Sequence, residues 1–132
     1  MLKEVPEKYQ DLLIDATRAF AFLATTMKDG SPQVTPIWFN IQDEYILVNS
    51  ALGRVKDRNM RIRPKVALAI VDPKNPYRYM SVLGTVVEIK EEGAIAHIDA
   101  LAKKYHGVDL YQGPRVDRVI FKIKPEKIHA QG

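Results

Sequence analysis

The stretch from Tyr45 to Arg63, YILVNSALGRVKDRNMRIR, decides the fold because its character changes in the middle. Its first five residues are aromatic, aliphatic and β-branched, a composition typical of a strand. From Gly53 onward the residues are compatible with a helix, and Pro64 ends that helix because proline disfavours helical backbone in the residue before it. The sequence therefore predicts a strand that leads directly into a short basic helix.

Upstream of this stretch we expect a helix and two further strands. Apolar residues recur at helical spacing from Pro6 to Ala19, which predicts an amphipathic helix. Phe20 to Thr26 and Gln33 to Asn40 are extended segments on either side of Asp29-Gly30, a strong turn signal. With Tyr45 to Asn49 they form a predicted three-stranded antiparallel meander.

Downstream the pattern predicts three more strands and one long helix. Val66 to Val71 is an apolar run of strand length, and Tyr77 to Ile89 is a long extended stretch in which Gly84 indicates a bulge. Glu91 to Tyr105 has one apolar face and is the clearest helix, and Val116 to Ile123 forms the last strand. The predicted fold is α+β and mainly β: a six-stranded antiparallel small barrel with flanking helices.

Length and composition place the chain among single-domain proteins. Its 132 residues with 46% hydrophobic content suit one domain over residues 1–132. No apolar run approaches the roughly 20 residues of a membrane helix, and the first four residues lack a signal pattern. We therefore expect a cytoplasmic protein without a membrane partner. The absence of cysteine excludes disulfides, thiolate catalysis and cysteine-ligated metals.

The positive charge of the chain is concentrated in one segment. The net charge is +4, yet residues 53–65 carry six cations against the single anion Asp57, so the remaining residues sum to −1. A protein that binds nucleic acid tends to spread its positive charge over a surface, whereas one basic segment favours a local anion. The cations are Arg54, Lys56, Arg58, Arg61, Arg63 and Lys65.

Ser50, Arg54 and Lys56 are the candidate ligands of that anion. They lie at the strand-to-helix junction, where unpaired N–H groups, the positive end of the helix dipole and side-chain cations together suit a phosphate. At 100° per residue Arg58 and Arg61 share a helix face with Arg54, while Lys56 lies on the other side. From these residues alone, a solvated basic helix face is an equally good interpretation.

A second candidate region is Pro36-Ile37-Trp38. Pro36 cannot donate to a sheet ladder, so it belongs at an edge or a bulge. An interrupted strand leaves backbone groups unpaired, and the polar edge of a flat heterocycle can use them. Packing of Trp38 in the core is the competing interpretation.

Two further groups of residues were considered as site candidates. Tyr77, Arg78 and Tyr79 cluster aromatic rings with a cation, which suits ring stacking or a subunit contact.

No metal site is expected, because the histidines share no metal-ligand spacing and are predicted to be structural or on the surface. Nucleophile-elbow, P-loop and GxGxxG motifs are absent from the sequence. The three histidines are His97, His106 and His129.

Taken in order, the motifs resemble those of the flavin-binding split-barrel superfamily, the pyridoxamine 5′-phosphate oxidase-like proteins, and specifically its short branch that depends on the deazaflavin coenzyme F420. The resemblance spans roughly residues 19–128. The motifs that carry it are Phe22-Leu23-Ala24-Thr25 with Asp29-Gly30, Pro36-Ile37-Trp38-Phe39, Gly53 to Met60 with Asn59, Pro64 to Leu68, and Asn75 to Tyr79 followed by Gly84-Thr85-Val86.

The resemblance implies a split-barrel homodimer with a cofactor site at each side of the subunit interface. By position in the motifs, Ser50, Arg54 and Lys56 would hold the phosphate, and Asn59 lies in the same motif. The backbone from Pro36 to Trp38 would meet the tricyclic ring. The segment Tyr77-Arg78-Tyr79 would approach from the other subunit.

The activity implied is hydride transfer between the bound cofactor and an unsaturated small molecule. F420 is the first choice of cofactor, because Arg58 and Arg61 offer a track for its acidic tail, and FMN is the second. Oxidation of pyridoxamine phosphate itself is not expected, because the chain ends soon after its last strand. The alternatives are an FMN-dependent enzyme of the pyridoxamine phosphate oxidase type, a non-catalytic flavin or haem carrier, and a basic barrel that binds single-stranded nucleic acid. The last is disfavoured because cations and aromatic residues are not interleaved.

Overall fold

The computed structural model describes residues 2–132, and within them the chain forms seven strands, two α-helices and two short 3-10 helices. The strands are β1 Phe20–Thr26, β2 Pro32–Ile37, β3 Phe39–Gln42, β4 Tyr45–Ala51, β5 Lys65–Asp72, β6 Asn75–Lys90 and β7 Arg118–Gln131. The helices are α1 Val55–Ile62 and α2 Ala94–His106, and the 3-10 helices are Glu7–Leu13 and Asp15–Thr17.

All strands belong to one antiparallel sheet in the order β2-β1-β5-β6-β7-β4-β3. Strands β2 and β3 are separated along the chain only by Trp38, yet they lie at opposite ends of this order. The sheet must therefore curl until its two ends meet at Trp38. The result is a mainly β, curled antiparallel sheet with flanking helices, as predicted at that level.

The prediction of six strands is wrong, because the expected strand Gln33–Asn40 is two strands. Pairing with β1 ends at Ile37, and pairing with β4 begins at Phe39. Each half of the segment thus satisfies its backbone groups on a different neighbour. The chain has to bend at the residue between them, and a local sequence pattern does not contain that competition.

The core fills the concave side of the curled sheet. Along β4, Ile46 and Val48 are buried on the concave side. In β7, Phe121 pairs with Val48, and Val119 lies two positions further along the same ladder; both are buried as well. Full burial of each large apolar side chain contributes roughly 1.5–3 kcal/mol. The largest fully buried side chains include Leu12, Leu23, Phe39, Ile46, Met60, Ile70, Met80 and Phe121.

The single helix predicted from Pro6 to Ala19 is also wrong. Ile14 adopts extended backbone (ψ 149°) and Arg18 is left-handed (φ 53°), so only two 3-10 turns form. The first 3-10 helix buries Tyr9, Leu12 and Leu13, the same apolar residues whose spacing predicted an α-helix. Tertiary burial therefore overrides the helical periodicity.

The remaining elements follow the sequence closely. The hairpin at Asp29-Gly30, the basic helix and the long second helix are confirmed, although α2 begins only after the left-handed Gly93. The ladder between β6 and β7 shifts register at Gly84, which confirms the predicted bulge. Strand β7 continues to Gln131 instead of ending at Ile123, because β6 offers a ladder along its whole length. Across residues 2–132, none of the helices has the length and apolar character needed to span a membrane.

Candidate functional site

The bend at Trp38 opens a gap in the sheet. Strand β2 pairs only with β1, and the last residues of β4, Asn49–Ala51, pair only with β7. Between the edge Thr35–Ile37 and the edge Asn49–Ala51, no ladder forms in the described part of the chain. We call this gap the split. Interruption of the strand near Pro36, which the sequence suggested, is thus present.

The basic segment is anchored beside the split by the carboxylate of Asp57. One oxygen accepts the Gly53 N–H at 2.8 Å, in a turn where Gly53 has a φ of 86°. The other oxygen accepts from Arg61 Nε at 2.8 Å. The only anion of the segment is therefore used within the segment itself, and it does not neutralise Arg54 or Lys56.

Lys56 reaches across the split. Its Nζ donates to Thr35 Oγ1 at 3.3 Å, which joins α1 to the edge of β2. Burial lowers the pKa of Lys56, and the positive charges of Arg54 and Arg118 lower it further. No carboxylate in residues 2–132 forms an ion pair with any of these three cations.

Arg118, which the sequence did not single out, is the most deeply placed of these cations, with 5% of its surface exposed. Its Nε donates to Asn49 Oδ1 at 2.9 Å, and its guanidinium lies 5.4 Å from the centre of the Tyr111 ring. Burial and the charge of Arg54 lower its pKa. A buried charge without an opposite charge is unusual and calls for an anion from outside the chain.

The alternation in the last strand gave no signal for Arg118. Val119, Phe121 and Ile123 are the buried alternate residues, so the pattern places Arg118 on the opposite face, where a cation is ordinary. Its neighbour in the ladder, Ala51, is more than sixty positions earlier in the chain. Only strand pairing brings the two together.

Ser50 is 1% exposed, and its hydroxyl has no hydrogen-bond partner within the described chain. Because Ser50 pairs with Val119 and Ala51 with Arg118, the register places Ser50 and Arg118 on opposite faces of the sheet. Ser50 instead shares the concave side with Thr35, the residue that Lys56 contacts. Buried hydroxyls are normally bonded, so this one has capacity for a further ligand.

These groups fit a phosphate. Three cations without a carboxylate partner in residues 2–132 and the first-turn N–H groups of α1 lie near the end of β4, and the unpartnered Ser50 hydroxyl lies there on the concave side. Charge-assisted bonds to such donors are the usual means by which proteins hold phosphate. The competing interpretation, a solvated helix face, does not account for the burial of Arg118.

A pocket of about 250 Å³ adjoins the split. Its walls are mostly apolar, and Arg118 supplies the one charged group among them. Apolar walls with one fixed polar group are typical of sites for flat heterocycles. The predicted residues Pro36, Ile37 and Trp38 all line it, together with Phe20, Asn49, Ile98, Leu101 and Tyr111.

Trp38 forms a rigid wall of this pocket. It stacks on Tyr105 with ring centres 5.3 Å apart and planes 8° apart, and it meets Tyr111 edge-on at 5.8 Å. The Tyr105 hydroxyl donates to the Ala19 carbonyl at 2.7 Å, which fixes the stack. Trp38 therefore packs against α2 and lines the pocket at the same time.

Two predicted site residues are engaged elsewhere. Asn59 is buried and donates to Thr25 Oγ1 at 3.0 Å, which attaches α1 to β1. Arg78 forms ion pairs with Asp11 and Asp72, which attach the first 3-10 helix to the β5–β6 turn. Neither residue lines the pocket.

Tyr77 and Tyr79 lie beside the pocket's end of the sheet without lining it. Tyr77 is 82% exposed. The register Phe20–Val71–Tyr79 places Tyr79 on the same convex sheet face as Phe20, which is a pocket residue. Both tyrosines are therefore on the surface of the described chain rather than in its pocket.

That convex face is apolar and uncovered, and we call it the outer face. Alternate residues of β2, β1, β5 and β6 point to it and are exposed or half-buried. Val34, with 64% of its surface exposed, lies on the edge strand β2 of this face. The pocket borders the outer face because two residues belong to both. The members include Phe20, Phe22, Val34, Pro36, Ala69, Val71 and Leu83.

Comparison with known proteins identifies a family and several structures that the chain resembles. Residues 5–132 match the family described as pyridoxamine 5′-phosphate oxidase. A solved structure described as an F420 reductase is 36% identical, with 95% of this chain and 98% of that chain covered and a TM-score of 0.83. No curated protein matches the chain.

Two more distant structures share the fold. A conserved hypothetical protein from Mycobacterium tuberculosis is 20% identical, with coverage of 99% and 89% and a TM-score of 0.74. HupZ from Group A Streptococcus is 23% identical, with coverage of 96% and 93% and a TM-score of 0.68. At these identities the likeness concerns the fold alone.

Proposed function

The chain belongs to the pyridoxamine 5′-phosphate oxidase family, and from that premise we propose that it is an oxidoreductase that binds a phosphorylated flavin-type cofactor at the split. The cofactor is F420 in first choice and FMN in second. The reaction is hydride transfer between this cofactor and an unsaturated small molecule. Such a cofactor supplies the hydride-carrying ring when it is bound.

One observation carries the proposal: the cations at the split have no counter-charge. Arg54, Lys56 and the buried Arg118 lack a carboxylate partner within residues 2–132, and the nearest anion, Asp57, is bound to Arg61 and Gly53. A phosphate supplies the missing charge. The apolar pocket beside it is suited to a flat ring.

The chain's own residues bind and orient in this proposal. Trp38, fixed by its stack on Tyr105, presents a flat wall to the ring. The edge of β2 at Pro36 and Ile37 presents backbone groups that no strand pairs on that side. Arg118 lines the pocket and provides a positive charge for the anionic group of the cofactor.

The choice of F420 rests on two features. The F420 reductase is 36% identical over nearly the whole chain. In addition, Arg58 is exposed and forms no ion pair within residues 2–132, so it can meet an acidic tail. Arg61, the other residue expected to meet the acidic tail, forms an ion pair with Asp57 and is therefore less available to that tail than the sequence suggested.

We also propose that the protein is a homodimer through the outer face. An apolar sheet face of this extent is usually covered by another protein surface. A second copy there would lie against the border of the pocket and could bring Tyr77 and Tyr79 to the cofactor of its neighbour. Under this arrangement the site is complete only in the dimer.

Haem carriage is not favoured by the geometry. His97, the histidine considered for iron, uses both ring nitrogens in contacts with Asn40 and Asn49. Neither nitrogen remains for a metal unless these bonds break.

Turnover separates an enzyme from a carrier. Protein loaded with reduced F420, and separately with reduced FMN, is mixed with quinones and enones, and oxidation of the cofactor is followed by absorbance. The proposal predicts oxidation that is faster than with cofactor and acceptor alone. Binding of the cofactor with no acceleration for any acceptor would leave a carrier as the better description.

A further inference from the structure

Arg118 is held in place by a line of hydrogen-bonded side chains that runs from β7 to β3. Arg118 Nε donates to Asn49 Oδ1 at 2.9 Å. Asn49 Nδ2 lies 3.0 Å from His97 Nδ1 and 2.9 Å from the Ala94 carbonyl oxygen. His97 Nε2 lies 2.7 Å from Asn40 Oδ1. Four elements are thus connected behind the pocket.

The roles of donor and acceptor in this line follow from Arg118. A guanidinium only donates, so the atom of Asn49 that faces it must be the oxygen. The Asn49 amide nitrogen then faces α2 and donates, so His97 Nδ1 must accept. The proton of the neutral imidazole is therefore on Nε2, where it is donated to Asn40 Oδ1. Each group in the line has one role that is consistent with its neighbours.

The neutrality of the line matters for the anion site. A carboxylate in place of Asn49 would neutralise Arg118, as Asp99 does for Arg115 with an N–O distance of 2.6 Å. The amide of Asn49 instead orients the guanidinium and leaves its charge uncompensated. Within residues 2–132, His97 is the one side chain that accepts from that amide, and together with the Ala94 carbonyl it holds the amide in its orientation.

We infer that His97 is a positioning residue that acts through Asn49 to fix the guanidinium of Arg118 toward the anionic group of the cofactor. This inference rests on the proposed function. His97 lies on α2 and does not line the pocket, so in this inference it affects cofactor binding only through Asn49 and Arg118. A structural role in packing α2 is the competing explanation.

The test uses two substitutions, each of which places an amide near the position of a different ring nitrogen of His97. His97→Asn places an acceptor near the position of Nδ1 and retains the contact with Asn49, whereas His97→Gln reaches toward Asn40 and gives up that contact. The probes are FMN with riboflavin, and F420 with its phosphate-free deazaflavin counterpart. We expect His97→Gln to weaken binding of the phosphorylated ligand by about fivefold to tenfold, the scale of one lost hydrogen bond. Binding of the phosphate-free ligand should stay within about twofold, and His97→Asn should resemble the wild type.

A double-mutant cycle then asks whether the effect passes through Arg118. In an Arg118→Met background, His97→Gln should have no further effect on either ligand. An equal loss for both ligands, a loss that persists in the Arg118→Met background, or no loss at all would overturn the inference. If His97→Gln does not fold, Asn40→Ser releases the imidazole from the other end and has the same expected pattern. Failure of the wild type to bind any phosphorylated probe would instead remove the proposed function.

Discussion

At the scale of single residues, the proposed phosphate site depends on charges that lack an opposite charge within residues 2–132. Arg118 is almost fully buried beside an apolar pocket, and no carboxylate pairs with it in residues 2–132. Arg54 and Lys56 approach from α1 and influence the same region electrostatically. This arrangement is stable only if the three cations meet solvent or a bound anion, and the burial of Arg118 favours the anion.

Removing one of these cations should weaken cofactor binding. Arg54→Ala, Lys56→Ala and Arg118→Met are each expected to cost about 1.5–3 kcal/mol of binding free energy, or roughly a 10- to 150-fold loss of affinity, since each deletes a charge-assisted bond. Isothermal titration with F420 and FMN measures the change. Lys103→Ala is the matched control, because it removes an exposed cation of α2 away from the split. Wild-type affinity in all three site variants would refute the phosphate assignment.

His97 should make the folded state sensitive to mild acid. Burial lowers its pKa to about 4, from 6.5. Between these values the unfolded chain binds a proton that the folded chain does not, so the free energy of unfolding falls as the pH decreases. The loss by pH 4.5 should be about 2–3 kcal/mol.

Urea unfolding at pH 7 and pH 4.5 measures this loss of stability, and His97→Gln is the control because it has no titrating group at position 97. The carboxyl groups of Asp11, Asp72 and Asp99 have pKa values lowered below 3.8, so their contribution is lost only in stronger acid. Equal pH dependence of the wild type and His97→Gln would show that His97 is not the cause.

Which site residues could be predicted depended on their separation along the chain. Ser50, Arg54 and Lys56 are close in sequence, so their shared junction was visible in the pattern. Arg118 reaches them only through the β4–β7 ladder, and Asn49 reaches His97 only because α2 packs on the same strand. Such contacts are set by tertiary pairing, and one sequence does not display them.

At the scale of elements, the bend at Trp38 creates the site. Strand β2 pairs with β1, whereas β3 pairs with β4 at the other end of the sheet. In the described part of the chain, no ladder therefore joins β2 to β4. The split, the pocket and the exposed backbone edge all follow from that bend. The sequence predicted an interruption near Pro36, but it could not reveal that the two halves have different partners.

The curl of the sheet also depends on the bulge at Gly84. A Cβ at this position would lie 2.8 Å from the Lys124 carbonyl oxygen and from Ile123 Cγ2, so Gly84→Ala forces β6 and β7 apart. We expect a loss of about 1–3 kcal/mol in the free energy of unfolding, the usual scale of overpacking.

Denaturant unfolding of Gly84→Ala measures this loss. Ser81→Ala on the same strand is the control, and it should stay within about 0.5 kcal/mol of the wild type because Ser81 is half-buried on the outer face. If both variants unfold at the wild-type denaturant concentration, close backbone approach at Gly84 is not required.

At the scale of the whole molecule, the outer face is the feature that one chain leaves unexplained. It is apolar, it spans four strands, and it borders the pocket. In the proposed homodimer, a second copy of the chain buries this face and completes the proposed cofactor site. Family membership, the curled sheet and the basic junction were all accessible from the sequence, whereas this face emerges only from the strand register.

A charge on the outer face should separate the copies. Val34→Lys places a cation where 64% of the valine surface is exposed, and we expect it to convert a dimer into a monomer in sedimentation velocity. Val116→Lys is the matched control, because Val116 is similarly exposed (69%) but lies outside this face. A wild-type protein that sediments as a monomer would contradict the dimer proposal.

The central claim is that the split holds a phosphorylated flavin-type cofactor. Its most direct test is a titration of the purified chain with F420 and, separately, with FMN, followed by cofactor absorbance and fluorescence. We expect saturable binding of at least one of them at one molecule per chain, with F420 the tighter ligand. Absence of saturable binding for both would contradict it.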